Sequence, residues 1–242
     1  MTDDPCPRCY ALVPCAGVGA RAGAALPKQY APLAGRPLVA HTLAALAAVP
    51  RIVFTLVVLA PGDECFEREV PEHAALRCRA LRRGGATRAA TVAAGLAALA
   101  EDGARDDDWV LVHDAARCLL QPAWVERLID ACQGDAVGGL LALPLADTLK
   151  QERAGRVATT VERSGKWAAQ TPQMFRLGLL RAALASAGNG VTDEASAVEA
   201  QGLAPLLVAG ELANFKVTFL SGSSFIDWNC SNSCWHFWQT YS

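Results

Sequence analysis

Apolar residues along the chain fall into blocks of two kinds. The first kind is short and continuous: "YALVP" (10–14), "RIVFTLVVLAP" (51–61), "ALRCRAL" (75–81), "DWVLVHDAAR" (108–117), "AVGGLLALPL" (136–145), "PLLVAG" (205–210) and "NFKVTF" (214–219). Such runs, several rich in β-branched residues, predict buried strands. The second kind has helical spacing. It predicts helices over about 38–49, 87–101, 122–132, 176–187 and 193–201. Pro122 opens the third of these, where its missing N–H costs nothing. Strands that alternate with helices of this length predict a mostly parallel twisted sheet covered on both faces. The polar stretch 146–167, "ADTLKQERAGRVATTVERSGKW", breaks the alternation. It predicts a hairpin turning at Ala154-Gly155 that leaves the body of the domain. No internal repeat is visible.

In such sheets ligands sit at the carboxyl ends of the strands, and the polar clusters fall there. The first is "PCAGVGARAGAALPKQY", Pro14 to Tyr30. It lacks GxxxxGK[ST], so it is not a P-loop. Gly17, Gly19 and Ala22 match GxGxx[GA] formally. That motif must open a helix and be followed by an acidic residue about 20 positions on. Here Pro27 and Pro32 block a helix, and the next acidic residue is Asp63. What remains is a loop that wraps a triphosphate. Gly17 and Gly19 would let the backbone offer N–H groups to phosphate oxygens. Arg21 would fork onto phosphate, and Lys28 would supply a point charge. A solvated loop with two ordinary cations is the alternative from this segment alone.

Two further clusters support the anion-binding reading. "GGATRAAT" puts Gly84 and Gly85 before a helix, with Arg88 and Thr91 on one of its faces. "HDAAR" puts Asp114 and Arg117 at a strand end. Asp114 suits Mg²⁺, directly or through water, or a sugar hydroxyl; a helix N-cap is the plain alternative. His113 reads as a satisfied buried histidine rather than a catalyst.

Composition narrows the class. The 242 residues carry a net charge of −2, so any anion site is local, and a nucleic-acid binder is not expected. No apolar run is long enough to predict a membrane span, and "MTDDPCPRCY" has no secretory n- or h-region. Both point to the cytoplasm. The nine cysteines are odd in number and scattered, as free thiols are in a reducing compartment. Cys6 and Cys9 form a lone CxxC. Only "CSNSC", far away, offers a second ligand pair for zinc, so a loose N-terminal tail with unpaired thiols is expected.

The segments "PCAGVGARAGAALPKQY", "GGATRAATVAAGL", "VLVHDAARC", "PLADTLK", "TVERSGKWAAQTPQMF", "VTDEASAVE" and "NFKVT", in this order over about residues 10–218, resemble the 2-C-methyl-D-erythritol 4-phosphate cytidylyltransferases of the non-mevalonate isoprenoid pathway. The resemblance implies a Rossmann-like nucleotidyltransferase fold and a homodimer. It also implies Mg²⁺-dependent transfer of CMP from CTP to methylerythritol phosphate, with release of pyrophosphate. Carried over by position, Arg21 and Lys28 match the pair around the α-phosphate. Cys15, Ala16, Gly17, Gly85 and Thr91 match CTP contacts, beside Gly19 of the same loop. Asp114 and Ala115 match the ribose and metal end, with Arg117 beside them. Thr148, Arg163, Thr192 and Lys216 match positions that hold the acceptor phosphate and polyol, Arg163 and Lys216 counting among the catalytic cations. In the family the hairpin, here about 146–165, reaches into the partner subunit as a dimerisation arm.

The chain departs from the family pattern in places. Cys15 replaces a usual alanine, Thr87 a frequent acidic residue, Thr91 a frequent serine, and Cys118 a usual proline. After residues 1–218, read as one nucleotidyltransferase domain, the stretch 219–242 turns aromatic and cysteine-bearing, without Lys or Arg. A frameshifted or appended tail is the expectation there. Two other functions share the motifs: a ribitol 5-phosphate cytidylyltransferase, from which "VTDEAS" and "TVERSG" lean away, and a non-catalytic nucleotide-binding regulator.

Overall fold

The structure is a computed structural model and describes residues 6–17, 27–187 and 191–217. In chain order the elements are β1 (Cys9–Cys15), a 3₁₀ turn (Lys28–Tyr30), β2 (Pro32–Leu33), β3 (Arg36–Pro37), α1 (Leu38–Ala47), β4 (Ile52–Leu59), α2 (Phe66–Glu69), β5 (Cys78–Leu81), α3 (Arg88–Glu101), β6 (Trp109–Val112), α4 (Pro122–Cys132), β7 (Gly138–Pro144), β8 (Leu149–Arg153), β9 (Arg156–Val161), β10 (Trp167–Arg176), α5 (Leu177–Ser186), α6 (Glu194–Glu199) and β11 (Leu206–Ala209).

Seven described strands form one sheet in the order β11-β7-β10-β6-β1-β4-β5. All neighbouring pairs are parallel except those of β10, which runs antiparallel to both β6 and β7. The sheet is therefore mixed and mostly parallel, as expected. Apolar residues pack on both faces. Val39, Leu43, Leu46, Val125, Leu128 and Ile129 of α1 and α4 meet Ala11, Val13, Val57 and Leu111 on one side. Val92, Leu96, Leu99, Leu177 and Leu180 of α3 and α5 meet Leu12, Val58, Val110 and Val112 on the other. Because both faces are covered, these strands read as unbroken apolar runs rather than alternating ones.

Helix starts follow local chemistry. Thr87 caps α3 by accepting the Ala90 N–H at 3.1 Å. Asp193 and Ser196 cap α6 reciprocally: Asp193 Oδ1 accepts the Ser196 N–H at 2.9 Å, and Ser196 Oγ accepts the Asp193 N–H at 3.1 Å. α4 starts at Pro122, and Pro27 and Pro32 confine the segment after the glycine loop to one 3₁₀ turn. The hairpin forms as β8 and β9, turning at Ala154 and Gly155, both with positive φ. Nearly all of its residues are exposed.

Two expectations are corrected, and one strand is added. "NFKVTF" forms no strand over its described residues, 214–217. Asn214 is instead buried and donates from Nδ2 to the Thr171 carbonyl at 2.8 Å and to Gln170 Oε1 at 3.2 Å, so the segment is held by side chains and not by a ladder. Cys9 is not in a loose tail: it opens β1 and is buried, while Cys6 is exposed, and both are free thiols. Strand β10 presents no apolar run, because its buried half, "QTPQMF", is largely polar in sequence. Its glutamines and threonine are buried because they hydrogen-bond to neighbouring segments. Gly19 and Arg21, and the stretch 218–242, lie outside the described residues.

At the start of β7, Gly138 has φ +107, and a Cβ there would strike the Met174 carbonyl oxygen of β10. Gly138→Ala is expected to destabilise the fold by about 2 kcal/mol, a fall in Tm of roughly 4–8 °C on thermal denaturation.

Candidate active site

β1 lies between β4 and β6: the chain steps from β1 out to β4 and β5, then crosses back through α3 to β6 on the other side of β1, and this reversal opens a crevice at the carboxyl end of β1. A cavity of about 720 Å³ sits there. The ends of β1, β4 and β6, the loop before α3 and the segment 214–217 converge on it. Of the residues expected in a site, Cys15, Ala16, Gly17, Lys28, Gly85, Thr91, Asp114, Ala115 and Lys216 all line it. Gln29, Gly84, Thr87 and Arg88 join them.

Two loops can meet only because Gly84 has no side chain. A Cβ there would collide with the Ala16 methyl and come within 2.6 Å of the Leu59 carbonyl oxygen. The Gly84 N–H donates to that same carbonyl at 2.8 Å. Thr91 folds the next residue onto α3: its Oγ1 accepts the Gly85 N–H at 3.1 Å and donates to the Thr87 carbonyl at 2.9 Å. On the opposite wall Gln29 donates from Nε2 to the Cys15 carbonyl at 3.0 Å, and the Tyr30 hydroxyl donates to Asp63 Oδ2 at 2.7 Å. These two buried side chains anchor the 3₁₀ turn that carries Lys28, whose ammonium donates to the Val217 carbonyl. Burial raises the Cys15 thiol well above its ordinary value, so this cysteine is an inert wall.

Asp114 is at the centre. Arg88 Nε donates to its Oδ1 at 2.9 Å, and Lys216 Nζ donates to its Oδ2 at 2.7 Å. Arg88 also forks onto Glu194, at 2.6 and 3.0 Å. Burial on its own would raise the Asp114 carboxyl; Arg88 and Lys216 outweigh it and hold the group below the usual carboxylate range. Burial likewise works against the charge on Arg88, and Glu194 and Asp114 outweigh it and raise its pKa. Asp114 caps no helix: both oxygens go to side-chain cations.

Behind Asp114 runs a relay of ordinary hydrogen bonds. The Asp114 N–H donates to Thr171 Oγ1 at 3.1 Å, and Thr171 and His113 Nδ1 are 3.0 Å apart. His113 Nε2 lies 3.2 Å from the Arg117 carbonyl oxygen. A carbonyl can only accept, so Nε2 carries the proton and Nδ1 accepts from the Thr171 hydroxyl. His113 is fully buried, and burial lowers its pKa from 6.5 to about 4. It is the satisfied core histidine expected from the sequence.

Four expected residues stand apart from the cavity in the single chain. The Arg117 guanidinium donates to the carbonyls of Asn214 at 2.6 Å and Ala169 at 3.3 Å, bracing the 214–217 segment, and its Nε is buried without a partner. Thr148 and Arg163 lie exposed at the two ends of the hairpin. Thr192 is exposed beside α6, its N–H donating to Ser196 Oγ at 3.1 Å. Sequence reasoning passed over Glu194, Gln170 and Asn214. The D-x-x-S pattern of "TDEAS" did mark a helix start at Asp193, and with it the first-turn position of Glu194.

The family model for 2-C-methyl-D-erythritol 4-phosphate cytidylyltransferase matches residues 9–222. The chain belongs to this family. It is 59% identical to the 2-C-methyl-D-erythritol 4-phosphate cytidylyltransferase of Laribacter hongkongensis over 88% of this chain and 91% of that one. It is 62% identical to the bifunctional enzyme IspD/IspF of Albidiferax ferrireducens over 89% of this chain, and it spans 51% of that longer protein. A solved 4-diphosphocytidyl-2C-methyl-D-erythritol synthase superposes with a TM-score of 0.78 at 42% identity, over 88% of this chain and 93% of that one. The Thermus thermophilus cytidylyltransferase gives 0.71 at 34% identity, over 88% and 93%. These neighbours share the Rossmann-like nucleotidyltransferase fold expected from the sequence.

The buried neutral His113 makes stability depend on pH. Its folded pKa is depressed relative to its unfolded value, so the unfolded chain takes up the proton first as pH falls. The stabilisation is complete above about 6.5 and is lost by about pH 4. Urea denaturation is expected to show about 3 kcal/mol lost across that window, and His113→Gln is expected to flatten the loss.

Proposed function

We infer that the chain transfers CMP from CTP to 2-C-methyl-D-erythritol 4-phosphate. An acceptor phosphate oxygen attacks the α-phosphorus in line; the new P–O bond forms as the bond to the β-phosphate breaks and pyrophosphate leaves. The observation that carries this reading is the cavity at the carboxyl ends of β1 and β6, lined by Gly17, Lys28, Gly85, Thr91, Asp114 and Lys216 in a chain of this family.

The chemistry asks for little proton transfer. The nucleophile is a phosphate monoester, already ionised at neutral pH, so no general base is required. His113 is committed to hydrogen bonds behind the site. The cost is bringing two anions together and stabilising charge on five-coordinate phosphorus, which positioned cations and N–H donors lower. In our reading Lys28, with Arg21 from the same loop, stands at the α-phosphate. Gly17, Gly19 and the Gly84–Gly85 loop take the base, ribose and phosphates, and Lys216 meets the acceptor.

Mg²⁺ fits this donor set. Asp114 is the one carboxylate among the described residues lining the cavity, and Mg²⁺ commonly keeps waters and binds one or two carboxylates plus substrate phosphates. Both Asp114 oxygens already receive cations, which favours contact through water. The ion would neutralise triphosphate charge.

A homodimer completes the reading. Thr148 and Arg163 sit on an exposed hairpin away from their own chain's cavity, and Val157 at 64% exposure leaves an apolar side chain on that arm in the single chain. Supplying both residues to a partner's acceptor site accounts for the arm. The seven described cysteines are all free thiols, which supports a cytoplasmic enzyme, and no described helix is long and apolar enough to cross a membrane.

Pyrophosphate release from CTP, with methylerythritol 4-phosphate and ribitol 5-phosphate tested side by side, checks the acceptor. Turnover with the first only is expected; turnover with neither would mark a non-catalytic nucleotide binder. At saturating CTP, Lys28→Ala is expected to lower kcat by about 10²-fold or more, and an unchanged kcat would remove Lys28 from its role. Mixing inactive Lys28→Ala and Arg163→Ala protomers in equal amounts is expected to restore about a quarter of wild-type activity, since half the dimers would hold one intact site. No recovery would mean that Arg163 serves its own chain.

A further inference from the structure

Glu194 is 1% exposed, on the first turn of α6, and lines neither the nucleotide cavity nor any protein–solvent boundary. Its two oxygens are occupied by the two terminal nitrogens of Arg88, at 2.6 and 3.0 Å, in the fork geometry that fixes a guanidinium in both distance and plane. With its ends held, Arg88 turns its remaining Nε to Asp114 Oδ1 at 2.9 Å. Asp114 then has one oxygen left for Lys216, at 2.7 Å. Four charges from four segments form one chain: Glu194 of α6, Arg88 of α3, Asp114 after β6, and Lys216 near the end of the described residues.

Two properties follow. Burial raises the Glu194 carboxyl above its ordinary value and the Arg88 fork works against that; with all four groups ionised the cluster as a whole carries no net charge toward incoming phosphates. The chain also bridges two walls. Arg88 is the first residue of α3, whose N-terminal loop carries Gly84, Gly85 and Thr87, on the nucleotide side. Glu194 follows Thr192 and Asp193, on the side where acceptor contacts are assigned. Asp193 is fastened to the same framework, since Gln173 Nε2 donates to its Oδ2 at 2.8 Å and Gln173 Oε1 accepts the Ala195 N–H at 2.8 Å.

We propose that Glu194 and Arg88 are a positioning pair. Glu194 aims Arg88 so that Asp114 keeps its place and in turn holds Lys216 ready for the acceptor, and the pair couples the acceptor-side segment 192–194 to the nucleotide-side helix α3. This rests on the cytidylyltransferase reading above. Neither residue is assigned contact with a reacting atom.

The test compares Glu194→Gln, Glu194→Asp and Arg88→Lys with the wild-type enzyme, varying CTP and methylerythritol 4-phosphate separately. Glu194→Gln keeps the shape and loses the charge that fixes Arg88. It is expected to raise the acceptor KM about tenfold or more and lower kcat about tenfold, while the KM for CTP moves by less than about threefold. Glu194→Asp, which keeps the charge, is expected to recover part of the loss. A double-mutant cycle of Glu194→Gln with Arg88→Lys is expected to be non-additive. Wild-type kinetics in folded Glu194→Gln, or equal changes in both KM values, would overturn the proposal. A second measurement does not depend on turnover. In the ligand-free protein, Glu194→Gln is expected to speed amide hydrogen exchange at 88–91, on the far side of the pair, as well as at 192–196. Unchanged exchange at 88–91 would overturn the proposal. An inactive wild-type enzyme would instead count against the cytidylyltransferase reading, with the exchange result still deciding the pair.

Discussion

The site depends on keeping one buried carboxylate charged. Asp114 sits at the end of β6, with 9% of its surface exposed. A carboxylate so placed would take up a proton or be expelled toward water unless cations met it. Arg88 and Lys216 meet it, one at each oxygen. Removing Arg88 would leave this carboxylate with one half-exposed cation, at a cost of about 1–3 kcal/mol. Helix α3, strand β6 and the segment 214–217 are therefore held in one arrangement by the same few contacts that shape the cavity. Glu194 extends the constraint to α6, since without it Arg88 would keep only the Nε bond to Asp114 out of these three.

That arrangement suits the transfer of a nucleotidyl group between anions. The reaction needs cations and N–H groups standing in place before substrates arrive, because reorganising them during the reaction would raise the barrier. The fold provides this through rigid supports. Gln29 and Tyr30 anchor the turn that bears Lys28, Gly84 permits two loops to touch, and Thr91 fastens Gly85 to α3. His113 and Thr171 support Asp114 from behind by ordinary hydrogen bonds. The histidine serves as scaffold, and its low pKa reflects that burial rather than acid–base work.

The arm follows a different logic. β8 and β9 form a two-stranded ribbon with almost no buried surface in the single chain. An isolated hairpin is marginal in water, and three or more strands or an apolar partner are normally needed. Val157 and the polar run from Thr148 to Arg163 thus make most sense against another surface. In our reading that surface is a second copy of this chain, which would also complete the acceptor site.

The sequence alone was enough for the layered α/β plan, because strands buried on both faces must be continuous apolar runs and the helices between them must carry one apolar stripe. It was enough for the short turn at 28–30 as well: Pro27 and Pro32 leave room for no longer helix there, whatever the rest of the chain does. Charges that meet across the fold are another matter. Arg88 and Glu194 are 106 residues apart, and Lys216 and Asp114 are 102 apart, so no local pattern reports their pairing. Strand β10 escaped for the same reason, since "QTPQMF" looks polar until Asn214, Asp193 and His113 arrive from elsewhere to satisfy it. Local sterics and periodicity act within a few residues and are written in the sequence. Which buried polar group finds which partner is decided only when the sheet brings distant segments together, because the cost of leaving any of them unpaired is imposed by burial itself.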